Sequence, residues 1–269
     1  MEPVSKTAYY CAGVRARDAE RPAPIVGDKY AKLFLGDDGR AVFERFRHFD
    51  RPNASNIARH RIVDDLLRAR LLEDNARPVV LLGAGFDSRA FRLTGGRWLE
   101  LDAAPVISRK DQLLPATRCP NPLERVAVDF SPASLREALT AVRGSGTVTV
   151  VIEGVLMYLP PPKVDQLLEV LRKALPRHEI ICDLMTERFL TRYSADVHKV
   201  LAELGARFEG IEARPLARFL EAGYTVQSRT SIPLRAAELR AMEVSPFILR
   251  WFLPSLRDGY AVHALSRGG

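Results

Sequence analysis

Several absences narrow what this chain can be. It has only 3 cysteines, Cys11, Cys119 and Cys182, far apart and without a C-x-x-C pair, which argues against a disulfide framework and against zinc; no metal is expected. No apolar run reaches the roughly 18 residues of a membrane span. The first residues lack the apolar core of a secretory signal, so a cytoplasmic location is expected. Lys and Arg number 40 against 33 Asp and Glu, a formal +7, but the positive residues are scattered and form no nucleic-acid-binding block. Internal repeats and low-complexity tracts are also missing.

What remains is enough for one large α/β domain with its own core, since 269 residues carry 47% hydrophobic content. The organising stretch is Val79-Val80-Leu81-Leu82-Gly83-Ala84-Gly85-Phe86-Asp87-Ser88. Four apolar residues meet a Gly-x-Gly turn, the way a buried parallel strand hands over to a loop that lets a ligand approach backbone. Gly83 and Gly85 are small because something lies against them, and Asp87 or Ser88 can cap the helix that follows. A second short strand, Trp98-Leu99-Glu100-Leu101-Asp102, ends in carboxylates near the roughly 20-residue offset of ribose-binding acids. A dinucleotide fingerprint wants Gly or Ala where Ser88 stands, so a nucleoside without a pyrophosphate fits better.

Alternating patterns predict strands at 79–82, 97–101, 125–128, 148–152, 179–183, 224–229 and 261–265. Helices are predicted at 104–114, 132–142, 163–174 and 215–222. The residues before the first strand read as helical: one piece from Ser5-Lys6-Thr7-Ala8 to Pro22 and Pro24, short pieces at 28–34 and 40–46, and a long helix at 55–76. The long helix has a stripe of Ile57, Ile62, Val63, Leu66, Leu67, Leu71 and Leu72, interrupted at its start by Arg59, His60 and Arg61. The expected organisation is one domain over 1–269, with a helical cap (1–76), a cofactor-binding half (77–184), a helical lid inserted before the sixth strand (185–211) and a sheet-completing segment (212–269). A second insertion, 242–257, carries the aromatic cluster around Phe247, Trp251 and Phe252, which is read as packing.

In an open parallel sheet the ligand lies beyond the carboxyl ends of the strands. Glu100, Asp102, Asp129 and Glu153 all fall there. Ribose hydroxyls need a carboxylate acceptor, Asp129 can accept from an adenine amino group, and Glu153 suits an ammonium. Arg59 in the cap, with Arg61 as competitor, suits a carboxylate. A ligand with all four groups is S-adenosylmethionine.

Read together, Ala58-Arg59, Val80 to Arg89, Leu99-Glu100-Leu101-Asp102 with Arg109-Lys110, Val128-Asp129-Phe130, and Glu153-Gly154-Val155-Leu156-Met157-Tyr158-Leu159 resemble the leucine carboxyl methyltransferase family and its bacterial small-molecule relatives. The resemblance runs from Ser5 to Tyr260. It implies a class I methyltransferase fold, Rossmann-like, whose seven-stranded, mostly parallel sheet has the order 3-2-1-4-5-7-6 with the seventh strand antiparallel. It further implies that Lys6, Arg59, Gly83, Gly85, Asp102, Asp129, Phe130 and Glu153 line the S-adenosyl-L-methionine site. Phe86 and Ser88 are mild departures from the family's pattern, and residues 185–211 match no member in particular.

Methyl transfer from a sulfonium is an in-line displacement, for which a protein mainly supplies alignment and a water-poor pocket. A carboxylate acceptor is already ionised near neutral pH and needs no general base, whereas a phenol usually does. Among the histidines, His178 and His263 read as core or surface, leaving His48, His60 and His198 in the cap region; none has the flanking acid of a committed base. No catalytic residue is assigned, with Tyr158, His60 and His198 as pocket candidates. Arg15 and Arg192 can hold an anionic substrate, although solvated surface is the plainer reading of each. The leading expectation is an O-methyltransferase acting on the carboxylate, or else a hydroxyl, of a small molecule such as a secondary metabolite or polyketide intermediate. Its rivals are a protein C-terminal carboxyl methyltransferase, a non-catalytic adenosyl-binding module, and an NAD-dependent oxidoreductase, which Ser88 and Asp129 argue against. The expected partner is the small-molecule acceptor, with no nucleic acid and no membrane; oligomeric state is left open.

Overall fold

The computed structural model describes residues 3–142 and 146–267, with side chains from residue 6. Seven strands form one sheet in the order β3-β2-β1-β4-β5-β7-β6. They are β1 (Pro78–Leu82), β2 (Arg97–Asp102), β3 (Leu123–Ala127), β4 (Val148–Ile152), β5 (His178–Met185), β6 (Tyr224–Ser231) and β7 (Tyr260–Arg267). The first five pair in parallel, and β7 runs antiparallel to both β5 and β6. This is the order and polarity that the family resemblance implied. Each predicted strand is present; β4 has the predicted ends, and no end elsewhere is shifted by more than two residues.

Alternation along the strands divides the core. Val79 and Leu81 face a cluster completed by the N-terminal helices, while Val80 and Leu82 face the opposite layer. The first layer holds α1 (Pro3–Ala19), α2 (Ala31–Glu44) and α3 (Asp50–Glu73). After β1 come the short α4 (Arg89–Arg92) and, after β2, α5 (Ala104–Leu113). The second layer is built by α6 (Pro132–Ala138), α7 (Pro161–Ala174) and, later in the chain, α10 (Pro215–Glu221), through Leu135, Leu167, Leu171 and Phe219. Pro at the first turns of α6 and α7 costs no hydrogen bond there.

The two pieces predicted at 28–34 and 40–46 meet within α2, where the backbone leaves the helix at Gly36 (φ 53°, ψ −161°) and divides it into two helical segments, a conformation glycine alone adopts without strain. The long cap helix begins at Asp50, five residues earlier than the apolar stripe suggested. Leu72 leaves that stripe altogether, 88% exposed, whereas Arg59 and His60, which interrupt it, are buried. The lid segment folds as α8 (Glu187–Tyr193) and α9 (Ala195–Glu203). Val197 and Leu201 of α9 pack with Tyr10, Phe43, Phe46 and Ile57, which fastens the insertion to the cap.

Between β6 and β7 lie α11 (Ile232–Glu238), α12 (Pro246–Phe252) and α13 (Pro254–Asp258). α11 has no counterpart among the predicted helices; its start is marked by Ser231 accepting the Leu234 N–H and by Pro233. The aromatic cluster is not packing: Phe247, Trp251 and Phe252 are each 64–68% exposed, and only Leu249 of that helix is buried. Among the described residues, no helix is long and apolar enough to cross a membrane.

Candidate functional site: two adjoining cavities over the sheet

Beyond the carboxyl ends of β1, β2 and β4 lies a cavity of about 330 Å³ lined by Gly83, Gly85, Asp102, Phe130, Arg59 and Glu153, among others. The turn after β1 reaches it by left-handed backbone at Gly83 (φ 73°) and Gly85 (φ 48°). What lies against Gly83 is protein: a Cβ there would collide with Val155 Cγ2, while one on Gly85 would approach Ala8. Asp102 secures the turn, its Oδ2 accepting from Gly85 N–H (2.6 Å) and its Oδ1 from Ala103 N–H (2.7 Å). Each oxygen keeps a lone pair for a ligand hydroxyl. Burial pushes the Asp102 carboxyl up, partly offset by those two N–H donors.

Arg59 and Glu153 occupy the other end, in direct contact (Nε to Oε1, 3.1 Å) rather than facing one another across a ligand. They belong to a buried ionic network. Arg59 also donates to Asp183 (3.2 Å) and to the Tyr260 hydroxyl (2.8 Å), and Tyr260 donates to Asp183 (2.7 Å). Arg89, fully buried, donates to Glu153 (2.7 Å) and Asp64 (2.6 Å) and pairs with Asp87. Arg92 reaches Asp64 (2.8 Å), and Arg15 joins Asp28 (2.9 Å) to the Phe86 carbonyl (2.7 Å). Arg15 is therefore not solvated surface. Burial alone would raise Glu153 and Asp64; the guanidinium of Arg89 overrides it and holds both carboxyls low.

Within this network Arg15, Arg59, Arg68, Arg89 and Arg92 face Asp28, Asp64, Asp87, Glu153 and Asp183, equal numbers of each sign. Ligand atoms of His60, Asp87 and Glu153 converge as they would around a metal ion, but the Arg89 guanidinium sits among them, bonded to all three.

A second cavity, about 460 Å³, lies against the first and shares Thr7, Cys11, Arg59, Gly154 and Tyr158 with it. Its remaining walls come from the cap, the lid and the segment before β7, including Tyr10, Asn56, Met185, Phe189, Tyr193 and Tyr260. No histidine lines it among the described residues, and its carboxylates, Asp50 and Asp196, are exposed. Burial pushes the phenols of Tyr10, Tyr158 and Tyr260 up, so they stay protonated, with the Tyr260 proton already given to Asp183.

Not every anticipated residue is here. Lys6 and Asp129 line neither cavity. Asp129 is exposed and turned back to accept from Ser131 N–H (2.9 Å), a local turn ahead of α6. Glu100 is fully buried beneath the site, bonded to Lys110 (2.8 Å) and Arg125 (2.7 Å). Arg61 pairs outward with Asp65 (2.7 Å), leaving Arg59 as the cap arginine at the cavity. His60 does have acid neighbours, Glu153 and Asp64, but Arg89 and Arg92 each place a nitrogen 2.8 Å from one of its ring nitrogens. Burial and Arg89 lower its pKa, and it borders only the first cavity. His198 accepts from Phe208 N–H (3.2 Å), stacks on that ring and lines neither cavity. Tyr158 alone of the three pocket candidates borders both.

Comparison with known proteins agrees with this architecture. The family model for leucine carboxyl methyltransferase matches residues 8–172. A proposed S-adenosyl-L-methionine-dependent methyltransferase of Frankia alni is 37% identical over 189 residues, covering 63% of this chain and 65% of that protein. A similarly described protein of Streptomyces avermitilis is 36% identical over 183 residues, 60% of this chain and 62% of that one. The chain thus spans somewhat under two thirds of the curated relatives it matches.

Among solved structures, a DUF574 family protein from Streptomyces avermitilis superposes with a TM-score of 0.62 at 14% identity, covering 94% of this chain and 99% of that one. Magnesium protoporphyrin IX methyltransferase from Synechocystis PCC 6803 superposes with a TM-score of 0.51 at 15% identity, covering 88% and 97%. These two similarities concern the fold, the seven-stranded architecture of class I methyltransferases. The sequence match, which runs from α1 into α7 and takes in every segment that builds the first cavity, shows that this chain belongs to the leucine carboxyl methyltransferase family.

Proposed function

We propose that the protein binds S-adenosylmethionine in the first cavity and transfers its methyl group to the carboxylate of a small molecule held in the second. The residues present fit that cofactor. Asp102 offers carboxylate lone pairs for ribose hydroxyls, Glu153 on the cavity wall offers a carboxylate for a cationic group, and Arg59 offers a guanidinium for a carboxylate. When bound, the cofactor supplies an electrophilic methyl on a sulfonium.

What the chain's own residues contribute is alignment and exclusion of water. The observation that carries the choice of acceptor is the lining of the second cavity: the protonated phenols of Tyr10 and Tyr158, the Asn56 amide, and no histidine among the described residues. Such a wall can donate hydrogen bonds to an anion, and it offers no buried base to deprotonate a hydroxyl. A volume of about 460 Å³ falls in the range of small-molecule sites, which favours a free metabolite over a protein tail. Incubation with methyl-labelled S-adenosylmethionine and panels of carboxylic acids, phenols and C-terminal peptides tests the reading. Label entering acids and not the other panels supports it; label entering only peptides or phenols contradicts it. Calorimetry with S-adenosylhomocysteine and NAD separates this reading from the oxidoreductase one, since only the former should bind.

A further inference from the structure

Beside the second cavity runs a groove of about 590 Å³ whose walls bring together Arg17 and Arg21 from the end of α1 and just beyond it, Arg51 from the start of α3, and Arg240 from the turn after α11. It adjoins the second cavity, with Asp50, Arg51 and Met242 lining both. Three carboxylates share the groove. Asp18 is committed to the backbone N–H groups of Ile25, Val26 and Gly27, while Asp50 and Glu243 are exposed. Asn53, on the same wall, is tied by its amide N–H groups to the Phe46 and Arg47 carbonyls, and its Oδ1 is buried.

Arg240 is the telling residue. Its N–H donates to Ala237 O (3.0 Å) and that of Ala241 to Ala236 O (2.9 Å), the paired bonds of a Schellman helix end, with Arg240 at the left-handed position (φ 55°). Glycine is the favoured residue there, and an arginine carries backbone strain. A strained, non-glycine residue that lines the groove with three other exposed arginines fits selection for its side chain.

From this geometry we infer that the methyl acceptor carries a phosphate-class anionic group at the end remote from the carboxylate, held in the arginine groove while the apolar body fills the second cavity. The inference rests on the methyl-transfer reading for the identity of the acceptor, but the anion site can be tested without it. Inorganic phosphate is titrated calorimetrically into the wild-type chain, Arg240→Gly and Arg21→Ala, with thermal melts and S-adenosylhomocysteine binding run in parallel. Phosphate affinity falls at least fivefold in each variant, cofactor-product affinity is unchanged, and Arg240→Gly melts at the same or a higher temperature. No phosphate binding by the wild type, or equal binding by all three proteins, overturns the site.

In a second arm, carboxylic acids with and without a distal phosphate ester are compared as acceptors. KM for the phosphorylated member rises in both variants while kcat and the plain acid are unaffected. Methylation of acids with no preference for the phosphate overturns the inference and leaves the methyl-transfer reading standing. Arginine-dependent phosphate binding without methylation of any acid supports the anion site and removes that reading instead.

Discussion

Arg59 of the cap helix and Glu153 at the end of β4, 94 residues apart in the chain, are bonded to each other at 3.1 Å on the wall of the first cavity. The cap is thus tied ionically to the strand ends it covers. Replacing either residue by alanine is expected to weaken S-adenosylmethionine binding by about 1.5 to 3 kcal/mol, the range for charge-assisted hydrogen bonds. Because the two side chains touch, the double variant should lose less than the sum. Adenosine, which lacks the amino-acid tail, should bind all variants alike. Calorimetry with both ligands checks this, and equal losses for the two would remove the pair from the site.

Asp102 gives a pH dependence. Burial raises its carboxyl above the ordinary aspartate value, despite the N–H groups of Gly85 and Ala103. Protonation removes an acceptor for ribose hydroxyls, so adenosine affinity should fall as pH drops through that raised pKa. Asp102→Asn should bind more weakly at neutral pH and lose the dependence. Titrations between neutrality and about pH 4 measure it.

The ionic network also bears on stability. Asp64 is fully buried between Arg89 and Arg92, and Asp64→Asn leaves both guanidiniums short of a counter-charge, at an expected cost of about 3 to 5 kcal/mol. Burial would raise this carboxyl, but Arg89, His60 and Arg92 hold it well below the usual range. A depressed folded-state pKa contributes stability that is present above the unfolded value near 4 and lost as pH falls toward the folded one. Urea unfolding at neutral and acid pH should show the wild type losing stability below about pH 4 and the variant losing less.

Gly83 is constrained by Val155 as well as by its backbone. A β-carbon there meets both a left-handed φ and the Val155 side chain, so Gly83→Val is expected to damage the fold and is not a clean probe of ligand binding. Gly83→Ala should destabilise by more than about 1 kcal/mol. Adding Val155→Ala should cost less than its effect in the wild type, because it removes the clash but not the backbone strain. Urea denaturation of the two single variants and the double variant checks it.

What could be read from the sequence follows the range of the interactions. The runs ending at Leu82, Ile152 and Met185 announce buried strands through local composition, and Gly83 and Gly85 announce the turn. The helical patterns on the two sides of Gly36 also look separate, and the backbone does leave the helix at that residue. Side-chain roles set by distant partners were harder. Arg15 reads as surface until Asp28 and Phe86 O are placed beside it. Glu100 reads as a ligand acid until Lys110 and Arg125 are seen to use it. Asp129 is the reverse case: Asp129-Phe130-Ser131-Pro132 is itself the signature of a capped turn, and that turn is present, with Asp129 accepting from Ser131 N–H.

The central claim, methyl transfer to a carboxylate, is tested most directly by the chemical stability of the product. Methyl-labelled S-adenosylmethionine is incubated with the protein and a panel of small carboxylic acids, and the product is treated with mild alkali. A methyl ester releases its label as volatile methanol, which is the result expected here. Label that stays bound through alkali, as in an ether or a C-methyl product, or no transfer to any acid by a protein that binds S-adenosylhomocysteine, would contradict it.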